Sequence, residues 1–103
     1  MKTTTEANET VANLDNYIRR NGNVYSSWYV GIAADPRGRL FGDHKVRENG
    51  DAWIYEGCES DTAARQVEQR FLAAGCQGGS GGGDVRSRYV YAYKIATHTI
   101  ETA

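Results

Sequence analysis

Tyr29-Val30-Gly31-Ile32-Ala33-Ala34-Asp35-Pro36-Arg37-Gly38-Arg39-Leu40 is the stretch whose reading decides the fold. It continues a run from Val24 that is rich in β-branched and aromatic residues, so a strand is predicted over Val24–Ala33. Trp28, Val30 and Ile32 share one face of that strand, and Tyr29, Gly31 and Ala33 share the other. Asp35-Pro36 supplies an N-cap followed by proline at the first helical position. A short helix over Pro36–Lys45 follows. Gly38 and Gly42 lie about one turn apart in it, which weakens it and lets another backbone approach closely.

On the N-terminal side, Ala7, Val11, Leu14 and Ile18 form one helical stripe over Glu6–Arg20, closed by Asn21-Gly22. Residues 1–5 read as a frayed, disordered terminus. On the C-terminal side, Glu48–Asp51 is a turn and Ala52–Cys58 a second strand. Ser60 or Asp61 can cap a long helix over Thr62–Ala74, which Gly75 closes. Six of the 12 glycines fall between Gly75 and Gly83, so residues 75–87 read as a glycine-rich loop without a helix or strand of its own. Tyr89–Ile95 then alternates as a last strand, with Tyr89, Tyr91, Tyr93 and Ile95 on one side. The order α-β-α-β-α-β predicts one α+β domain over 1–103, with a small, about three-stranded, mixed or antiparallel sheet flanked by helices.

Composition excludes several classes. Hydrophobic residues at 40% and charged residues at 24% are those of a globular protein rather than a disordered chain. No apolar run approaches the ~20 residues of a membrane span, and the polar Met1–Asn8 is no secretory signal. A soluble, cytoplasmic protein without a membrane partner is expected. Cys58 and Cys76 lack CxxC spacing and read as reduced thiols. A net charge of −1 weighs against broad nucleic-acid binding. The basic residues are clustered, however: Arg37, Arg39, His44, Lys45 and Arg47 form one group, and Arg86 and Arg88 another. These are the candidate nucleic-acid contacts.

Glu68 is the most informative single residue. On the wheel of Thr62–Ala74, Ala64, Val67, Phe71 and Leu72 define the apolar stripe, and Glu68 falls inside it. An inward carboxylate costs several kcal/mol, in order-of-magnitude terms, unless it is paired or binds a cation. A metal ligand, a buried salt bridge and a helix rotated towards water all fit. Taken singly, Arg39 and His44 fit a solvated or hydrogen-bonded surface, and Tyr29 fits ordinary packing beside Gly31.

Together these residues resemble the catalytic core of the GIY-YIG nuclease family. In that family a Tyr-Ile/Val-Gly strand is followed, eight residues after the glycine, by an arginine, then an aliphatic residue and often a histidine. Tyr29-Val30-Gly31, Arg39, Leu40 and His44 fit that pattern. Trp53–Cys58 matches the family's next strand, and Ala64, Glu68, Phe71 and Leu72 match its glutamate helix. The resemblance spans Tyr29 to Leu72 and implies a GIY-YIG-like fold and a metal-dependent endonuclease acting on DNA, or on RNA. It implies that Arg39 stabilises the scissile phosphate, that Glu68 holds one Mg²⁺ or Mn²⁺, and that Tyr29 positions the attacking water.

The match is rearranged. Asn23-Val24-Tyr25 resembles the family's Gly-Ile-Tyr strand, which would make Tyr25 a site residue. Only three residues separate Tyr25 from Tyr29, too few to reverse the chain into two paired strands. The family's late asparagine has no counterpart. The tyrosine-rich last strand is therefore expected to pair with the Tyr29 strand in place of the missing one, so that Tyr89, Tyr91 or Tyr93 supplies the absent phenol, with Tyr91 the candidate. Two other functions fit the same residues: a catalytically inactive nucleic-acid-binding relative, and a protein-interaction module. A dimer or a protein partner also remains open.

Overall fold

A computed structural model describes residues 3–79 and 86–103. Helix α1 (Thr3–Arg20) buries Leu14 and Ile18 completely and packs Val11 against the same core. It begins before Glu6, so Thr3–Thr5 are helical rather than frayed. Its end is closed by Asn21 and Asn23 N–H groups donating to the Ile18 carbonyl at 3.1 and 2.9 Å, with Gly22 at φ 115°. The left-handed turn is the reason glycine stands there.

Strand β1 (Trp28–Ala33) is shorter than its sequence predicts. Tyr25–Ser27 instead form one 3-10 turn, in which Ser27 N–H reaches the Val24 carbonyl at 3.1 Å. The short helix expected over Pro36–Lys45 is present, but after Pro36 and Arg37 it winds wide, as a π-helical turn over Gly38–Asp43. Asp35 Oδ1 accepts from Gly38 N–H at 3.1 Å, the expected cap. His44 N–H then reaches back five residues to Arg39 O at 2.8 Å, and Lys45 at φ 62° ends the turn. Two glycines make a regular helix weak here, and such wide turns recur at functional sites.

Strand β2 (Trp53–Gly57) and helix α2 (Asp61–Ala74) lie close to their predicted ranges. Ser60 caps α2 by accepting from Ala63 N–H, and Gly75 closes it at φ 120°. The described part of the glycine-rich segment is not an unstructured loop. Gln77 runs parallel to β1, donating to Trp28 O at 2.8 Å and accepting from Val30 N–H at 2.9 Å. Residues 80–85 of that segment lie outside the described residues.

Strand β3 (Tyr89–Lys94) lies in the middle of a three-stranded antiparallel sheet of order β1-β3-β2. The expected pairing of the last strand with the Tyr29 strand is present, with Tyr29 opposite Tyr93 and Gly31 opposite Tyr91. The fold is thus α+β, and the sheet is antiparallel rather than mixed. One sheet face carries Trp28, Val30, Ile32, Val90 and Ala92 against the apolar stripes of both helices. The other carries Tyr29, Ala33, Tyr91 and Tyr93 against Leu40 and Val46. No described helix is long and apolar enough to cross a membrane. Cys58 and Cys76 are both buried and unbridged.

Gly31 is where the two paired strands depend most on one small residue. A methyl there would meet Tyr91 Cζ and Oη at 2.6 Å, while Gly42 has open space within 4 Å. Gly31→Ala should therefore lower stability by about 1–3 kcal/mol, and Gly42→Ala should change it by no more than ~0.5 kcal/mol. Urea-denaturation midpoints check both; equal effects would show that the Tyr91 ring does not depend on the missing Cβ.

Candidate active site

A cleft of about 690 Å³ opens where β1, the wide turn and α2 meet. Tyr29, Gly31, Arg39, Glu68 and Tyr91 all line it. The strand parity puts Tyr29 and Gly31 on the same face as Tyr91. The wide turn carries Arg39 across that face. Helix α2 supplies Glu68, which packs among Ala64, Val67 and Phe71 with only 5% of its surface exposed.

Among the described residues, Glu68 has Arg65 as its ion-pair partner, with Nη1 4.0 Å from Oε1, too far for a tight salt bridge. Nor has the helix turned it fully to water. The carboxylate is buried at the cleft wall, and this desolvation pushes its pKa up, only partly offset by Arg65.

Arg39 donates to Asp43 Oδ2 at 2.7 Å and to the carbonyl of Ala103 at 3.1 Å. Burial works against its charge, but Asp43 and the phenol of Tyr91 outweigh it and raise the guanidinium pKa. Arg39 therefore presents a fixed positive charge at the cleft.

His44 is fully buried behind the cleft rather than in its lining. Its Nδ1 lies 2.6 Å from the Ile100 carbonyl and its Nε2 lies 2.9 Å from Tyr91 Oη. A carbonyl only accepts, so Nδ1 carries the proton and Nε2 accepts from the phenol. Burial lowers the His44 pKa, and Arg39 adds to this, against the opposing pull of the Ile100 carbonyl. The neutral imidazole is the form present at pH 7. Tyr91 is pushed up to about 12, chiefly by burial, so its proton stays on at neutral pH. The Tyr29 ring packs at a tilt against His44, 4.7 Å between centroids, and its oxygen accepts from Gly79 N–H at 3.1 Å.

Several sequence candidates lie elsewhere. Tyr25 sits on the opposite side of the sheet, packed near Phe71 and bonded to Asp15. The 3-10 turn directs it there, and it does not line the cleft. Arg37 pairs with Glu48 at 2.6 Å and covers the Phe41 ring. Lys45, Arg47, Arg86 and Arg88 are exposed, and none of these basic residues lines the cleft. Proximity in sequence to Arg39 did not carry them into it, because the wide turn and the left-handed Lys45 redirect the chain.

The sequence reading missed Asp35, Asp43 and Ser87 in the lining. Asp43 had a usable signal, its i,i+4 spacing from Arg39. Ser87 had none, standing at the end of the glycine-rich run. No family model, no curated protein and no solved structure matches this chain.

The Glu68 shift has a stability consequence. A carboxyl pKa raised in the fold favours the neutral form, so its contribution is full below the ordinary carboxyl pKa and is lost as pH rises through the raised value. At neutral pH the ionised group opposes folding. Glu68→Gln should raise stability at pH 7 by about 0.5–2 kcal/mol, with the gain shrinking below pH ~4. Thermal melts at both pH values check this; a lower melting temperature at pH 7 would contradict the burial cost.

Proposed function

We propose that this protein is a metal-dependent endonuclease of the GIY-YIG type, hydrolysing phosphodiester bonds in DNA before RNA, with the last strand standing in for the family's first. The observation that carries this reading is the meeting of Tyr29, Arg39, Glu68 and Tyr91 in one cleft. Arg39 and Glu68 are far apart in sequence, and each comes from a different element.

The chemistry follows from the groups present. A phosphate oxygen could take the place of Ala103 O on Arg39, and the planar guanidinium fork suits that exchange. Charge that builds on the non-bridging oxygens in the transition state is then met by a preorganised cation. The attacking water gives its proton to Tyr91 Oη while the phenolic proton passes to His44 Nε2. The water oxygen forms the new P–O bond, the bond to the leaving oxygen breaks, and that oxygen takes a proton from solvent. The imidazolium so formed is disfavoured by burial and by Arg39, so it returns its proton readily. Tyr29 holds the imidazole and shapes the water's position.

Glu68 fits a divalent cation. It is a buried carboxylate facing a cleft, and among the described residues its ion-pair partner, Arg65, stays 4.0 Å away. Among the described residues no group of three His, Cys, Asp or Glu could hold an ion. Among the described residues Glu68 would be the protein ligand, with water and phosphate oxygens completing the shell, as Mg²⁺ tolerates and Mn²⁺ can imitate. When bound, the ion would neutralise charge on the phosphate and the leaving oxygen.

Nicking of supercoiled plasmid in Mg²⁺ or Mn²⁺ tests the reading. Arg39→Ala, Glu68→Ala and Tyr91→Phe should each reduce the rate by on the order of 100-fold or more, with folding confirmed by circular dichroism. Tyr25→Phe should leave the rate per folded molecule unchanged. If neither metal supports cleavage of any DNA or RNA, the reading fails. Salt-sensitive binding without cleavage, surviving Glu68→Ala, would identify a silent relative instead.

A further inference from the structure

The segment after β3 has no place in the resemblance, yet it makes the closest contacts to the buried histidine. Its backbone grips His44 twice. Ile100 N–H donates to the His44 carbonyl at 2.8 Å, and the Ile100 carbonyl accepts from His44 Nδ1 at 2.6 Å. The segment is itself fastened down. His98 Nε2 lies 2.5 Å from Asp51 Oδ2. Thr99 is buried and turns the chain, with its N–H donating to Ala96 O at 3.2 Å and its hydroxyl accepting from Ala96 N–H at 3.0 Å. Glu101 Oε2 accepts from Tyr93 Oη at 2.9 Å and lies 2.6 Å from Thr99 Oγ1.

The donor directions around the His44 ring follow from its neighbours. Glu101 is an acceptor, so Tyr93 gives it the phenolic proton. The Tyr93 oxygen, 3.3 Å from His44 Nδ1, is then left with only lone pairs towards the ring. The Ile100 carbonyl likewise offers only lone pairs. Both neighbours of Nδ1 demand a proton there. Nε2 is consequently bare and faces Tyr91 Oη. Reversing the Tyr93 hydroxyl would point a proton at Nδ1 and favour the opposite tautomer, which has no lone pair for Tyr91.

We propose that Thr99–Glu101 form a positioning strap, in which the Ile100 carbonyl and the Glu101 carboxylate fix His44 as the Nδ1–H tautomer and so aim the Tyr91 proton at Nε2. The role deepens the endonuclease reading and rests on it for its catalytic meaning. Ile100 and Glu101 touch no reacting atom; they act through His44, as outer partners of catalytic histidines do.

The experiment is nitrogen NMR of the imidazole in the full chain at neutral pH, read beside the nicking assay. The native protein should show a protonated Nδ1 and an unprotonated Nε2 for His44. A chain ending at His98 should move to Nε2–H and lose cleavage by on the order of 10–100-fold. Glu101→Gln, which keeps the side chain's shape, lets the amide donate to Tyr93 and frees the Tyr93 proton. It should give a mixed tautomer and an intermediate loss, carried by kcat rather than KM. If the shortened chain does not fold, the native spectrum and Glu101→Gln decide. A native His44 with its proton on Nε2 overturns the proposal, and so does either folded variant that keeps a pure Nδ1–H ring. Loss of the Nδ1–H assignment with cleavage intact overturns the strap alone. An Nδ1–H ring in a chain that cuts nothing overturns the endonuclease reading while supporting the strap's hold on the ring.

Discussion

Two antiparallel ladders meet on β3, and nearly every other feature depends on them. Without that strand, β1 and β2 have no hydrogen-bonded neighbour in the sheet. The ladders also determine parity. Because Gly31 stands opposite Tyr91, the ring of Tyr91 lies over the one residue on β1 that can leave it room. A slip of one residue would send Tyr91 and Tyr93 to the helix side and bring Val90 and Ala92 into the cleft. The apolar residues on the helix face make such a slip costly. Packing on one side of the sheet thus sets the chemistry on the other.

The cleft side is an unusual layer for a small protein. It buries His44, Tyr91 and Tyr93 among aromatic rings, with Glu68 at the cleft wall, where polar groups are expensive unless paired. Most of that cost is offset by an oriented chain of hydrogen bonds from Tyr91 through His44 to Ile100, and from Tyr93 to Glu101. Glu68 is the exception. Among the described residues its carboxylate is desolvated with only Arg65, at 4.0 Å, to compensate. A purely structural residue at that position would be Leu or Met. An ionised acid there is costly to the fold, and the divalent cation proposed for Glu68 would offset that cost.

How much of this was legible in the residues varied with the kind of interaction. Periodicity located both long helices, the parity of β1 and β3, and the inward Glu68, because each depends on side chains repeating at a fixed spacing. The pairing of β3 with β1 followed from a negative fact: three residues between Tyr25 and Tyr29 cannot turn the chain. The wide turn was less legible. Gly38 and Gly42 signalled a weak helix, but whether His44 N–H bonds four or five residues back is decided by packing of Leu40 and His44 under the sheet. Tyr25 was misplaced because its side chain follows a 3-10 turn rather than a strand. The strap was invisible for a plainer reason. Its grip on His44 comes from the backbone of Ile100, and any residue type offers that carbonyl.

Connectivity and geometry are separable here. In space, the central strand lies between the strand carrying Tyr29 and Gly31 and the strand after the arginine turn; in the chain, it comes last. A ladder requires adjacency and register, not order along the chain, so a central strand supplied from the far end can place a phenol as well as one supplied by a hairpin. The difference lies in how the site is reached. A hairpin would close locally, whereas β1 and β3 must close across most of the chain, a slower search with a larger loop entropy to overcome. Arg39 and Tyr29 are positioned by short-range turns and can be in place early. Tyr91, and the strap that orients its histidine, arrive only with the last strand. The cleft is therefore complete only when the whole sheet is, and its polar groups depend on the same long-range pairing that holds the fold.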